Sequence, residues 1–113
     1  MIVDMLNACP VLKGRFDLED GPTVVIGAVA QSIKQGRLSP EEADSVFVYW
    51  NELAVRADKT SLDILGPGAL ELFNDDAASQ RLARAKLKGK ALWMLEEFRL
   101  FWGQPDYGMD DAT

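Results

Sequence analysis

The segment "SPEEADSVFVYWNELAVRA", residues 39–57, constrains the fold more than any other part of the chain. Ser39, Pro40 and Glu42 together mark a helix start. The serine is a good N-cap, proline at the first helical position loses nothing by its missing N–H, and a glutamate three residues after the serine can reach back to the serine N–H. This capping box predicts a helix from residue 40, and its satisfied end groups are worth about 1 kcal/mol. Ala43, Val46, Phe47, Trp50, Leu53, Ala54 and Ala57 then fall within one arc of about 120° at about 100° per residue, which makes that face core. Val48 and Val55, seven apart and outside the arc, predict a second contact surface, while Glu41, Ser45, Glu52 and Arg56 form a solvated stripe. A helix packed on two sides belongs near the middle of a domain.

The flanking segments read as helices too. A first one is expected over residues 2–8, ending before Pro10 because the residue ahead of a proline is pushed out of the helical region. The connector "VLKGRFDLEDG" leads to "PTVVIGAVAQSIKQG", where Val25, Ile26, Val29, Ala30 and Ile33 recur at three and four and Gly36 stands where a helix stops. Residues 22–35 are read as helix, although the β-branched run Val24, Val25, Ile26 also suits a short buried strand, and Gly27 costs a helix about 1 kcal/mol relative to Ala. In "TSLDILGPGALELFNDD", Thr60 can cap a short helix that Gly66, Pro67 and Gly68 break; a second short helix runs through Leu70 and Phe73 to about Asn74. Asp75 or Asp76 caps the next one, through "AASQRLARAKLK", closed by Gly89. The last helix covers residues 90–102 and stops at Gly103 and Pro105. The expectation is an all-α domain of five to seven short antiparallel helices around one core, spanning 1–103, with an acidic flexible tail over 104–113.

Composition bounds the chemistry. At 113 residues the chain fits one domain that buries roughly two thirds of the surface its unfolded form exposes. No apolar run approaches the roughly 18 residues of a membrane span. The N-terminus starts apolar but has no basic leader and carries Asp4, so a cytoplasmic location is expected. Cys9 is the only cysteine, which excludes an internal disulfide and is read as buried and inert. Histidine is absent, so no Ser-His-Asp or Cys-His pair and no His-ligated zinc site can exist. No cofactor, metal or catalytic residue is expected. The net charge of -6 repels phosphate backbones and suits either solubility or a basic partner.

Two clusters have both a functional and a structural reading. Arg81, Arg84, Lys86, Lys88 and Lys90 gather in ten positions. They form either an anion or nucleic-acid patch, or, as preferred here, cations collected toward a helix C-terminus opposite Asp75 and Asp76. The acid pairs Glu41/Glu42, Asp75/Asp76, Glu96/Glu97 and Asp110/Asp111 do not converge as metal ligands, because neighbours on a helix point about 100° apart; the first-turn acids are explained by capping. "GPG" at 66–68 lacks the spacing of a phosphate-binding loop and is read as a turn.

On a helical wheel, "KALWMLEEFRLFWGQP" (residues 90–105) puts Ala91, Met94, Leu95, Phe98, Phe101 and Trp102 on a core arc. Trp93 and Leu100 point nearly the opposite way, flanked by Glu96 and Glu97. Either another helix or the tail covers them, or they form an apolar anchor with an acidic rim, suited to a basic partner. Trp93, Glu96, Glu97 and Leu100 are therefore the candidate partner-binding residues.

The order of segments, with "LNACP", "VFVYWNELA", "GALELFND" and "LKGKALWMLEEFRLFWG", resembles a class of small bacterial helical proteins, some of which are candidate immunity proteins of polymorphic toxin systems. The resemblance spans most of residues 5–103 and brings no functional residues with it. It implies a chain that binds a toxin and blocks it, performing no reaction. The alternative is a homodimeric structural or regulatory adaptor working through its apolar helix faces.

Overall fold

A computed structural model describes residues 5, 7, 9–12, 14, 21–56 and 58–108. Among these residues the chain forms five α-helices and no strand: α1 (Pro22–Lys34), α2 (Pro40–Arg56), α3 (Lys59–Gly68), α4 (Ala77–Lys86) and α5 (Gly89–Phe101). Two 3-10 turns, Pro10–Leu12 and Leu70–Asn74, complete the path. The all-α architecture is as expected, and the radius of gyration of 13.2 Å is that of one compact domain of this length. The helix expected over 2–8 and the connector over 11–21 lie largely outside the described residues, as does Ala57.

Side-chain chemistry explains where the helices start and stop. The capping box forms as read: Ser39 N donates to Glu42 Oε1 at 2.8 Å and Glu42 N to Ser39 Oγ at 3.2 Å. Residues 24–26 are helical, because Val25 and Ile26 belong to one buried stripe with Val29, Ala30 and Ile33. Gly36, at φ +71°, closes α1 in a paired C-terminal motif: Gly36 N donates to Ile33 O and Arg37 N to Ser32 O. Asp58, rather than Thr60, caps α3, accepting from Ser61 N at 2.9 Å; that hydrogen bond holds the Asp58 carboxyl below its ordinary range. Of the two candidates before α4, Asp76 is the cap, with Ser79 N donating at 3.0 Å.

Two further boundaries differ from the sequence reading. Gly66, Pro67 and Gly68 form the last turn of α3 instead of breaking it. Their smallness serves packing: a Cβ on Gly68 would lie 3.0 Å from Ile26 Cγ2, and one on Gly66 only 2.5 Å from Phe98 Cε2. The second difference is Gly89, which opens α5 where it was expected to close α4. Asn51 of α2 holds that junction from both sides, donating from Nδ2 to Lys86 O and accepting from Lys88 N at Oδ1. With those groups taken by a side chain, the chain leaves α4 at Lys86 and crosses to α5 in extended form.

The core centres on Phe47, Trp50 and Phe73, whose ring centroids lie 5.6, 5.6 and 6.0 Å apart in edge and tilted contacts. Cys9 is fully buried, and its thiol donates to Ser45 O at 3.4 Å. The second contact surface expected at Val48 and Val55 is absent: they are 56% and 72% exposed. Tyr49, the next residue along α2, is the one buried.

Candidate protein-docking face

α5 is apolar nearly all round, yet the domain covers only part of it. Ala91, Met94 and Leu95 are buried and Phe98 is half-buried against the core. The core arc was expected to continue through Phe101 and Trp102, but these are 76% and 58% exposed. The reason is that no described element packs over the last turn of α5. Trp93 and Leu100 are also open, at 59% and 62%, so among the described residues neither another helix nor residues 104–108 cover them.

Three of these side chains, Trp93, Leu100 and Phe101, share a common face. Trp93, Glu97, Leu100 and Phe101 recur at four, three and one along α5, the spacing of one helix side. Glu97 lines two adjoining grooves. One, of about 300 Å³, lies between α3 and α5, with Leu62, Trp93, Met94 and Phe98 beside it; the other, of about 240 Å³, continues to Phe98 and Phe101. Phe101 and Trp102 stand edge to face with centroids 5.0 Å apart. Phe and Trp side chains carry about 150–250 Å² each. Trp93, Leu100, Phe101 and the adjoining Trp102, each more than half exposed, present on the order of 400 Å², near the largest patch a monomer of this kind carries.

The candidate acidic rim is only half present. Glu97 is exposed beside Trp93, but Glu96 turns to the other side of the helix. There its carboxylate accepts from Arg84 Nε at 2.6 Å and Nη2 at 3.0 Å, and from Arg99 Nε at 3.0 Å. The Arg84 bonds, with Arg99 beside them and against the opposing effect of burial, hold Glu96 below the usual carboxylate range. Trp93, Glu97 and Leu100 therefore share the open face, and Glu96 is a structural anion.

The basic stripe comes apart in the same way. Arg84 is buried, with Nη1 also donating to Asp106 Oδ1 at 2.6 Å. The bonds to Glu96 first, and those to Asp106, raise its pKa despite burial. Arg81 Nε donates to Tyr107 O at 2.9 Å, and Lys86 pairs with Asp44 at 2.8 Å. One acid pair is engaged too: Asp75 and Asp76 both lie on Lys34, while Asp110/Asp111 fall outside the described residues. Among the described residues, no three Asp, Glu or Cys side chains group to hold a metal, and no helix is long and apolar enough to cross a membrane.

The sequence reading missed the polar residues that hold the C-terminal segment. Residues 104–108, expected to belong to the flexible tail, are hydrogen-bonded to α4 by Gln80, Arg81 and Arg84; residues 109–113 lie outside the described residues. One sequence signal was present: Gln80, Ala83, Arg84 and Leu87 form an i, i+3, i+4, i+7 stripe, with two polar members where apolar ones are usual. All four are buried. No protein-family model, curated protein or solved structure matches the chain.

Proposed function

We propose that the chain is a non-enzymatic protein-binding domain that docks its partner on the open face of α5. Read with the family resemblance, it is an immunity-type protein that neutralises a basic toxin by direct binding in the cytoplasm. The observation carrying this reading is the exposure of Trp93, Leu100 and Phe101 on one side of α5, with the exposed Trp102 against Phe101 just past its end. About 400 Å² is half of what each partner of a standard interface buries, and tryptophan is the residue most often found at its energetic centre. Glu97 within the patch and the net charge of -6 favour approach of a basic surface. The missing histidine, and carboxylates engaged in caps and ion pairs at Glu42, Asp76 and Glu96, support a role without catalysis.

The test is calorimetric titration of the chain with the purified products of the genes beside its own. One of them is expected to bind, with Trp93→Ala and Phe101→Ala each weakening it about thirtyfold or more, the loss of about 2 kcal/mol typical of a hot spot. Binding unaffected by either substitution removes the α5 face from the interface. A second reading, a homodimer, draws on Lys90 and Glu97, which lie seven apart and both line the α3/α5 groove. Two antiparallel copies of α5 can set each lysine opposite the other copy's glutamate. Light scattering that shows a dimer, dispersed to monomer by Trp93→Asp, selects that reading.

A further inference from the structure

Residues 104–108 lie in a cradle formed by α4 and α5 that grips them as a bound peptide is gripped. Gln80, fully buried, directs both ends of its amide at their backbone: Nε2 donates to Pro105 O at 2.9 Å and Oε1 accepts from Tyr107 N at 2.7 Å. The amide cannot turn over, because Nε2 also donates to Asn74 Oδ1 at 3.0 Å while Asn74 Nδ2 donates to Leu95 O at 3.0 Å. Arg81 Nε reaches Tyr107 O, and Arg84 Nη1 reaches Gly108 O at 2.8 Å. Those bonds go to backbone atoms that any segment of similar path supplies. The side chain that α4 reads is Asp106, through Arg84 at 2.6 Å.

Charge explains that selection. Arg84 and Arg99 face Glu96 and Asp106, two cations against two anions. Without Asp106, two guanidinium groups share one carboxylate, and the Arg84 side chain is only 4% exposed. A buried guanidinium keeps its proton, so with Glu96 shared between Arg84 and Arg99 the cradle favours an occupant that brings a carboxylate.

We propose that Gln80, Arg81 and Arg84 form a binding site for a non-helical acidic segment of a partner protein, with an aspartate where Asp106 now sits, and that residues 104–108 are its built-in competitor. The proposal is independent of the α5 face. The occupant is a different protein, not a second copy, for a physical reason. Another copy's segment makes the same bonds, yet must displace one tethered through Gly103 at an effective concentration in the millimolar range. A partner segment with contacts of its own beyond these can displace it.

The experiment uses the full chain carrying Asp106→Ala and Tyr107→Pro, which remove the ion pair and the N–H donated to Gln80. A labelled, end-capped peptide with the sequence of residues 103–108 is titrated by fluorescence anisotropy. It is expected to bind this variant at least about tenfold more tightly than the unaltered chain, and the peptide with Asn in place of Asp is expected to bind about tenfold more weakly. No saturable binding to the folded variant, or equal binding of the two peptides, overturns the proposal. So does a dimer of the unaltered chain that monomerises on adding peptide, since a second copy then fills the cradle. If the variant loses its helical signal, the isotopically labelled unaltered chain decides. Shifts of the Gln80 side-chain amide with millimolar Asp peptide and not with the Asn peptide support the site, and no shift rejects it.

Discussion

Gly66→Ala tests what sets α5 against α3. The backbone at Gly66 is helical and outside the left-handed region, so alanine is conformationally allowed, and helix propensity alone favours the change by about 1 kcal/mol. The added Cβ, however, would sit 2.5 and 2.7 Å from Cε2 and Cζ of Phe98 and 3.3 Å from Met94 Cε. Ordinary carbon contacts are about 3.5–4.0 Å, so the ring must withdraw by about 1 Å, at the roughly 1–3 kcal/mol of an overpacked site. The net expectation is destabilisation of about 1 kcal/mol, read as a lower urea midpoint by circular dichroism and a Tm lower by about 4 °C. In a Phe98→Ala background the obstacle is gone, and the same glycine substitution should be neutral or stabilise by up to about 1 kcal/mol, a coupling of about 1–2 kcal/mol. An increase in midpoint in the unaltered background, or a cycle additive within about 0.3 kcal/mol, refutes the close-approach account of Gly66.

Three further outcomes follow from other parts of the fold. Ser39→Ala should lower stability by about 1 kcal/mol, because it opens the capping box of the longest helix; a loss below about 0.3 kcal/mol in urea unfolding counts against it. Glu96 and Asp106 both have folded pKa values below their ordinary ones, so their contribution is present above the unfolded value of about 4 and is lost as pH falls through the lowered folded values. Glu96→Gln should therefore lose less stability than the unaltered chain between about pH 6 and about pH 3, and an equal loss contradicts the assigned ion pairs. The Cys9 thiol is fully buried and burial pushes its pKa up, so its labelling by a thiol reagent should track global unfolding; rapid labelling of the native chain rules this out.

Which parts of the fold were legible depended on whether the signal was local. The capping box at Ser39 and the stop at Gly36 were readable because each is completed within a few residues of its own helix. The buried stripe of α1 likewise overrode the strand-forming character of Val24, Val25 and Ile26. The misreadings at Gly89, at Gly66 to Gly68 and over residues 104–108 came from partners distant in sequence. Gly89 opens a helix because Asn51, 37 residues before Lys88, takes the bonds at the junction. Gly66 and Gly68 looked like breakers, since nothing nearby reveals that Phe98 and Ile26 press against them. The segment 104–108 looked unpatterned because its order comes from backbone atoms bonding to Gln80, Arg81 and Arg84, and a hydropathy pattern carries no trace of such bonds.

The candidate site shows the same limit in sharper form. A helical wheel assumes one apolar arc facing one core, but α5 has large apolar side chains around nearly its whole circumference, so the wheel had no basis for deciding which of them the domain would cover. It placed Phe101 and Trp102 inside and split Trp93 and Leu100 between two readings. The deciding influence is a polar one. Glu96 and Arg99 lock one side of α5 to Arg84, and residues 104–108 bond to that same arginine. With Ala91, Met94 and Leu95 on the core and the chain beyond Gly103 held on the Arg84 side, no described segment remains to cover the side bearing Trp93, Leu100 and Phe101. The exposed face thus follows from how the end of the chain is tied down.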